Sequence, residues 1–335
     1  MKNAGLPIVQ LSVLRPFINE LRQRGMDASL PLVRVGLSFE AIADSGQAVH
    51  AMVIHQLLEN IAGFAEDPVI AAKIGEKLDT TGWPLLADAG VHAKTLGDFL
   101  TRYISQANEI ASSAVQYLHI EGAQAVLGER RTFEPSIIPA QNDAFMASLA
   151  ISILRRSVAD QLNPSEIMVA VSDPHALPPG YGIMQILKGD RLGFRLLFPT
   201  KWLSMPFQWD RYQKVENQEK LAAIQPSELV FGFRQVLRSY VGRGRLTAID
   251  AARLVHMNRQ KLGRMLARHG TSISAEIGQA QIIYAKKRLA SGDNVTEIAL
   301  ALGYSTPGNF TRLFKRLSGV SPREYQKSSN QKSYV

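Results

Sequence analysis

The spacing of hydrophobic positions changes along the chain from helical to strand-like and back to helical. Apolar residues recur at helical spacing over about 11–25, 48–64 and 96–111, and each stretch predicts a helix. In the first of these, Pro16 stands early enough to be accepted near a helix start, and Gly25 is placed to end the helix.

The period then falls to two between residues 115 and 133. Glu121-Gly122 interrupts this alternation and predicts the turn of a β-hairpin. A long helix, two strands and an irregular proline-rich loop are predicted beyond it: 141–161, 167–171, 194–198 and 173–182. These elements predict an α+β domain over residues 1–210.

A helical linker with a hinge is predicted over residues 211–244. Helical spacing covers 213–240, and Gly242-Arg243-Gly244-Arg245 then breaks the helix. The glycines do not have the spacing of a nucleotide phosphate-binding loop.

The C-terminal part contains an internal repeat, with copies at about 249–266 and 295–316. Ala252 corresponds to Ala299 at an offset of 47 residues, and Arg264 corresponds to Arg312 at an offset of 48. Leu262 and Phe310 are also equivalent. The extra residue falls between the two helices of the second copy.

Each copy has the pattern of a helix-turn-helix, in which a small residue allows close helix contact and a tight turn follows. Asn294 with Glu297 predicts a capping box in the second copy. Asn258 is predicted to cap the second helix of the first copy, and Ser305 or Thr306 that of the second.

A single helix over about 272–290 is predicted to join the two copies. At ~1.5 Å per residue it is roughly 28 Å long, close to the ~34 Å between successive major grooves on one face of DNA. We therefore predict an all-α C-terminal domain over 245–328, with two helix-turn-helix units and a linker helix, followed by a tail at 329–335.

The positive charge is concentrated in this C-terminal part. Residues 245–335 contain 15 Lys and Arg against 5 Asp and Glu, whereas residues 1–244 contain 23 against 24. A basic domain attached to a neutral one is typical of a module that binds a polyanion.

The polar faces of the second helices carry side chains that suit double-stranded DNA. Arginine can pair with guanine, and glutamine or asparagine with adenine, while lysine more often contacts phosphate. The candidate DNA-binding residues are Arg259, Gln260, Lys261, Arg264, Thr306, Pro307, Gly308, Asn309, Arg312, Lys315 and Arg316.

The stretch from Leu246 to Tyr325 resembles the AraC/XylS family of transcription regulators. The resemblance is carried by Ile298-Ala299, Leu302-Gly303-Tyr304, Phe310, Arg312, Phe314-Lys315-Arg316 and the run Gly319 to Tyr325. Less sharply, the N-terminal part resembles the α+β effector-binding domain of one branch, at Thr81–Leu86, Leu96–Leu100 and Leu197–Pro206.

The resemblance implies roles and partners that the residue pattern alone does not give. Gln260 and Arg264 would occupy base-reading positions in the first unit, and Pro307, Gly308, Asn309 and Arg312 contact positions in the second. It further implies an activator that contacts RNA polymerase, responds to an unknown small molecule and forms a homodimer.

Two features depart from strong helix-turn-helix patterns. Gly263 lies inside the first recognition helix, where glycine costs about 1 kcal/mol relative to alanine and supplies no side chain. Pro307-Gly308 offers little hydrogen-bonding capacity, although proline is accepted in a first helical turn. Base reading by the second unit is therefore expected to depend on Asn309 and Arg312.

Other candidate sites are weak. The chain has no cysteine, and His119, His175, His256 and His269 lack the spacing of metal ligands. We therefore predict no metal, no cofactor and no enzyme activity. The alternative is an enzyme with its catalytic site in residues 1–205, which the basic tail only localises on nucleic acid.

An effector pocket is not readable from the sequence. Trp83, Trp202 and Trp209 could line one, but aromatic residues more often belong to the core. The pairs Arg130-Arg131 and Arg155-Arg156 could bind an anionic effector, but such pairs are more often solvated or ion-paired.

We expect a cytoplasmic protein. No stretch approaches the ~20 apolar residues of a membrane helix, and the first 14 residues lack the pattern of a signal peptide.

Overall fold

The computed structural model describes residues 6–43, 47–78, 84–207 and 229–332, and the chain divides into two compact units, residues 1–227 and 228–335. The first unit is α+β, and the described part of the second is all helical, as the sequence predicts. No helix in the described ranges is long and apolar enough to cross a membrane.

The first half of the N-terminal unit is mainly helical, with one small antiparallel sheet in which Ile8 pairs with His50. Its elements are β1 (Ile8–Gln10), α1 (Arg15–Gln23), α2 (Ser29–Arg34), α3 (Phe39–Ala43), β2 (Ala48–His50), α4 (Ala51–Phe64), α5 (Ile70–Lys77), α6 (Pro84–Val91) and α7 (Leu96–Ile110).

The helices predicted at 11–25 and 48–64 both begin later than expected. Residues Leu11–Leu14 form a 3-10 turn, and α1 begins at Arg15 with proline in its first turn. In α4 the helix begins at Ala51, because Ala48–His50 pairs with β1 and His50 Nδ1 then accepts a hydrogen bond from Met52 N at 3.2 Å. Sheet pairing and the His50 cap therefore set the start of α4, and a 3-10 turn precedes α1.

The second half of this unit is a five-stranded mixed sheet with a long helix against it. Its elements are β3 (Ala114–Glu121), β4 (Gln124–Arg131), α8 (Ala140–Val158), β5 (Met168–Val171), β6 (Gln185–Lys188) and β7 (Arg195–Pro199), in the sheet order β3-β4-β7-β5-β6. The predicted hairpin is confirmed, with Glu121 opposite Gln124.

Helix α8 is the central element of the unit and is buried along almost its whole length. It contacts α4, α5, β5 and β7. Gly75 in α5 permits the closest approach, because a Cβ atom there would lie 2.5 Å from the carbonyl oxygen of Phe145. The helix ends before the predicted 161, because Ala159 takes a left-handed φ of 44°.

Strand β6 was not predicted. It pairs in parallel with β5, with Met168 opposite Gln185. It is only four residues long and lies between irregular segments. Three of its four positions are exposed, so it lacks the alternation that identifies a half-buried strand. The expected irregular loop at 173–182 contains only short 3-10 turns.

The C-terminal unit consists of α9 (Leu229–Tyr240), α10 (Ala248–Leu254), α11 (Arg259–Ala267), α12 (Ile273–Ala290), α13 (Val295–Ala301), α14 (Pro307–Ser318) and α15 (Pro322–Lys332). The repeat at 249–266 and 295–316 and the joining helix at 272–290 thus appear as predicted. Helix α15 extends into the segment expected to be a tail at 329–335.

The segment predicted as linker and hinge differs from that expectation. Residues 229–244 belong to the C-terminal unit, because the buried face of α9 packs on α11 and α12. The glycine-rich break is a tight turn inside this unit, in which Gly244 N donates to the carbonyl of Ala301 at 2.7 Å. The predicted helix over 213–228 lies outside the described residues.

Candidate nucleic-acid interface

The two helix-turn-helix units share the same turn geometry. After the first helix, Met257 N donates to Ala252 O at 3.0 Å, and in the second unit Tyr304 N donates to Ala299 O at 2.9 Å. Since Ala252 and Ala299 are equivalent by sequence, the internal repeat is also a structural repeat.

A left-handed residue forms each turn, His256 with φ 51° in the first unit and Gly303 with φ 78° in the second. His256 shows that the turn itself accepts a side chain. Glycine is required at 303 for a further reason, because a Cβ atom there would lie 2.2 Å from the backbone nitrogen of Arg245. The second turn is therefore packed directly against the glycine-rich segment.

The starts of the two recognition helices, α11 and α14, differ as the extra residue implies. Asn258 caps α11, with Oδ1 accepting from Lys261 N at 2.7 Å, as predicted. Thr306 occupies the cap position of α14 but makes no side-chain cap bond, so the predicted cap by Ser305 or Thr306 is not found. Proline in the first turn removes one of the donors that a cap would satisfy.

The capping box predicted at Asn294 and Glu297 is not found, and Asn294 alone caps the helix. Asn294 Oδ1 accepts from Thr296 N at 2.8 Å. A reciprocal capping box is present in the first unit instead, between Thr247 and Asp250.

Helix α12 joins the two units and contacts every other helix of the C-terminal unit. Two buried polar residues attach it to its neighbours. Glu276 accepts from Arg234 of α9, at 2.6 and 3.0 Å, and from Thr271 at 2.7 Å. Gln281 accepts from the Tyr304 hydroxyl in the second turn at 2.9 Å.

The charge of Glu276 is stabilised by these partners. Burial alone would raise the pKa of this carboxyl, but the hydrogen bonds from Arg234 and Thr271 outweigh burial and hold it below its ordinary value. Glu276 is therefore ionised near neutral pH. Its carboxylate connects α9 and α12 with the end of the first helix-turn-helix unit.

Much of the sequence run that carried the family resemblance forms the core of the second unit. Tyr304, Phe310, Phe314 and Tyr325 are in successive ring contact, with centroids 5.7 to 5.9 Å apart. Gly319 ends α14 in a left-handed conformation, and Ser321 with Glu324 then caps α15 reciprocally. These residues therefore maintain the fold and leave recognition to the other face.

The predicted DNA-binding residues lie on the outer faces of the recognition helices, whose inner faces bury Leu262, Leu266, Phe310 and Phe314. The side chains of Arg259, Lys261 and Arg264 form no hydrogen bond or ion pair with the described residues. Of the eleven predicted residues, Pro307 is half-buried. The other ten are exposed: Arg259, Gln260, Lys261, Arg264, Thr306, Gly308, Asn309, Arg312, Lys315 and Arg316.

Arg312 and Asn309 interact with each other, since the Arg312 guanidinium donates a short hydrogen bond to Asn309 Oδ1. This bond orients the Asn309 amide, so its Nδ2 group and the remaining guanidinium N–H groups can donate to a ligand, while Oδ1 keeps one lone pair. The pair therefore presents mainly donors.

The glycines within the recognition helices have open surroundings. Nothing lies within 4 Å of a Cβ atom built at Gly263 or Gly308. Packing thus does not require glycine at either position, and both leave a gap between longer side chains on the outer face.

The other candidates have structural roles or lie outside the described residues. Trp202 is fully buried and stacks on Phe198, while Trp83 and Trp209 are outside the described ranges. His175 contacts Asp173 at 2.9 Å on the surface. No cluster of three metal-ligating side chains exists among the described residues.

The two arginine pairs have different surroundings. Arg155 lies 3.5 Å from Glu76 at the surface, and Arg130 is exposed. Arg131, in contrast, is 5% exposed and forms a short ion pair with the fully buried Asp143. A signal for this was present in the sequence, because Glu129 and Arg131 occupy the inward positions of the alternating strand β4.

Comparison with known proteins finds a domain match within the C-terminal unit. Residues 251–328 match the model of a helix-turn-helix domain. Uncharacterized HTH-type transcriptional regulators of Mycobacterium bovis and Mycobacterium tuberculosis are each 37% identical over 82 residues, which is 24% of this chain and 24% of theirs. The match thus spans about a quarter of the length of these curated relatives.

The C-terminal unit contains an AraC-type helix-turn-helix domain. Among solved structures, the transcriptional regulator CdpR from Pseudomonas aeruginosa is 16% identical and aligns over 94% of this chain and 98% of its own, with a TM-score of 0.38. The C-terminal domain of AraT, a response regulator from Geobacillus stearothermophilus, is 27% identical over 31% of this chain and 88% of its own, with a TM-score of 0.28.

Proposed function

We propose that this protein is a sequence-specific DNA-binding transcription regulator. The observation that supports this most is a pair of helix-turn-helix units on one helix, each with an exposed cationic face. Two equivalent units with matched outward arginines, Arg264 and Arg312, suit a ligand that repeats its own surface. Duplex DNA is such a ligand, because its major groove recurs every helical turn.

The length of α12 suits binding by a single chain to successive grooves. Its 18 residues span about 27 Å, and it contacts both recognition helices. Major grooves on one face of B-DNA lie ~34 Å apart, and side chains extend the reach of each helix. We infer that α11 and α14 enter adjacent major grooves.

Within each groove we assign base contacts to the positions that the resemblance to AraC/XylS regulators indicates. Gln260 and Arg264 would read bases in the first unit, and Asn309 with Arg312 in the second, with Pro307 touching a thymine methyl. Because Asn309 and Arg312 present donors, we expect guanine at the position they read. Arg259, Lys261, Thr306, Lys315 and Arg316 would hold phosphates.

We further propose that the regulator is a cytoplasmic, nucleoid-associated activator, and that a small molecule bound by the N-terminal unit controls it. An effector can act only through its different affinities for two states of the protein. The resemblance of the chain to AraC/XylS regulators supports a homodimer and a contact with RNA polymerase.

The test is selection of bound sequences from a random DNA pool by the full chain. We expect an enriched site with two short blocks about one helical turn, roughly 10 base pairs, apart. Arg264→Ala and Arg312→Ala should each weaken binding to that site by about 1–3 kcal/mol. Arg130→Ala, an exposed arginine of β4, serves as the control of equal charge.

Lys261→Ala separates phosphate contacts from base contacts. It should weaken binding to all sequences alike and reduce the slope of log affinity against log salt concentration by about one. If no sequence is enriched, or if both arginine variants bind the selected site as the wild type does, the proposed reading of bases is wrong.

A further inference from the structure

The N-terminal unit encloses a pocket between its helical half and its five-stranded sheet. Residues of β1, α1, α4, α7, β3, β4 and α8 line it, and the enclosed space is about 100 Å³. A single buried water needs roughly 10–15 Å³ by this measure, so the pocket has room for several non-hydrogen atoms. One end is apolar, with Phe17, Ile54, Leu58 and Phe145 in the wall.

The other end holds buried polar groups that lack protein partners. His55 and Arg131 both line the pocket, and only 4% and 5% of their surfaces are exposed. Among the described residues, His55 Nδ1 and Arg131 Nε have no hydrogen-bond partner. An unpaired buried polar atom destabilises the folded protein, so two in one pocket indicate a site where another molecule supplies the partners.

Arg131 is held rigidly despite its free Nε. Its other nitrogens donate to the Arg191 carbonyl at 3.0 Å and to the Asp143 carboxylate, whose second oxygen accepts from Ser172 N at 3.0 Å. The guanidinium is therefore fixed from both sides, and its Nε–H group lacks a hydrogen-bond partner among the described residues.

The polar end carries little net charge. The Arg131 cation is neutralised by Asp143. Burial, together with Arg131 and His50, lowers the pKa of His55 to about 3, so its imidazole is neutral. Burial also raises the pKa of the Glu129 carboxyl, which lies 3.4 Å from Arg131. The positive charge of Arg131 is therefore matched inside the protein, and the described residues of the pocket wall offer an anion no free cation.

We propose that this pocket binds a small uncharged amphipathic molecule, with an oxygen at its polar end and an apolar body. The oxygen accepts a hydrogen bond from Arg131 Nε and forms a second hydrogen bond with His55 Nδ1. The apolar body lies against the wall around Phe17, Ile54 and Leu58. Only the step from this binding to control of DNA rests on the function proposed above.

The experiment measures binding of matched seven-carbon probes to the full chain by ligand-observed NMR. The probes are 1-heptanol, 2-heptanone, n-heptylammonium and heptanoate, which share an apolar body and differ in the polar end. We expect the alcohol and the ketone to bind and to compete with each other, and both ions to bind at least tenfold more weakly.

Two variants locate the binding. His55→Phe removes one hydrogen-bonding atom and should weaken the alcohol about tenfold, with the charged probes unaffected. Ala107→Phe fills the pocket and should abolish binding of all four probes. Val115→Ala, on the exposed face of β3, is the control and should bind as the wild type does. Circular dichroism and melting show that each variant is folded.

The proposal is overturned if either ion binds as tightly as the alcohol, if all four probes fail to bind the wild type, or if folded Ala107→Phe and His55→Phe bind the alcohol unchanged. Failure of the function proposed above is recognised separately. If the probes bind but no DNA site is enriched, that function is wrong and the proposal for the pocket still holds. An enriched DNA site without probe binding sinks the pocket alone.

Discussion

Substitution of Gly303 by alanine tests whether the second helix-turn-helix is built as described. The left-handed φ of 78° costs a residue with a side chain about 1–2 kcal/mol. The new Cβ atom would also lie 2.2 Å from Arg245 N and 2.5 Å from Arg245 Cα, which are backbone atoms that cannot rotate away. Such overpacking costs about 1–3 kcal/mol more, so we expect roughly 2–5 kcal/mol in total.

Gly292→Ala provides the matched control, because Gly292 has φ 89° but nothing within 4 Å of a Cβ atom. It should cost only the conformational part, about 1–2 kcal/mol. The difference between the two variants therefore isolates the contact with Arg245.

The assay must report on the C-terminal unit, and tryptophan fluorescence does not, since all three tryptophans precede residue 210. Hydrogen exchange of peptides covering α13 and α14 gives the local free energy of opening, with tenfold faster exchange for each roughly 1.4 kcal/mol lost. If Gly303→Ala and Gly292→Ala accelerate exchange equally, the packing of the second turn on Arg245 is wrong.

Three further predictions concern single contacts. Asp143→Asn leaves a buried guanidinium without its carboxylate and should lower the free energy of unfolding of the N-terminal unit by about 3–5 kcal/mol. The measurement is urea unfolding followed by tryptophan fluorescence, in which the control Arg130→Ala should lower it by less than about 0.5 kcal/mol. Tyr304→Phe removes the hydroxyl bonded to buried Gln281 and should destabilise the C-terminal unit by about 1–3 kcal/mol in hydrogen exchange, and an unchanged rate would contradict that bond. Because the pKa of His55 falls from about 6.5 to about 3 on folding, protonation favours the unfolded chain, so its contribution to stability is complete above pH 6.5 and is lost as pH falls towards 3. In unfolding measured from pH 7 to pH 4, His55→Phe should lack this loss, and equal pH dependence in both proteins would exclude a buried neutral His55.

The sequence was most informative where local chemistry determines structure. The small residue at 252 and 299, the glycine at 303 and the cap at Asn258 each fix a helix end or a helix contact, so the C-terminal helices could be predicted closely. The period of two did the same for the hairpin of β3 and β4, because one face of each strand is buried.

Prediction was weaker where the structure of a segment depends on residues far away in the sequence. Strand β2 looked like the start of a helix until β1 paired with it, and β6 depends on β5 for its hydrogen bonds. The polar end of the pocket combines His55 of α4 with Arg131 of β4, which are 76 positions apart in the sequence. No local sequence pattern predicts that these two residues lie close together. Charged residues at inward strand positions do, however, indicate which side chains are candidates for a buried polar site.

The most direct test of the central claim is genome-wide mapping of bound DNA fragments in the cells that carry the gene. The wild type is compared with Arg264→Ala/Arg312→Ala and with Arg130→Ala/Arg195→Ala, which removes the same charge from exposed positions of the N-terminal unit. We expect discrete peaks for the wild type and the control, and their loss in the recognition-helix variant. Diffuse binding that is equal in all three proteins would show a charge-driven anchor and contradict sequence-specific regulation.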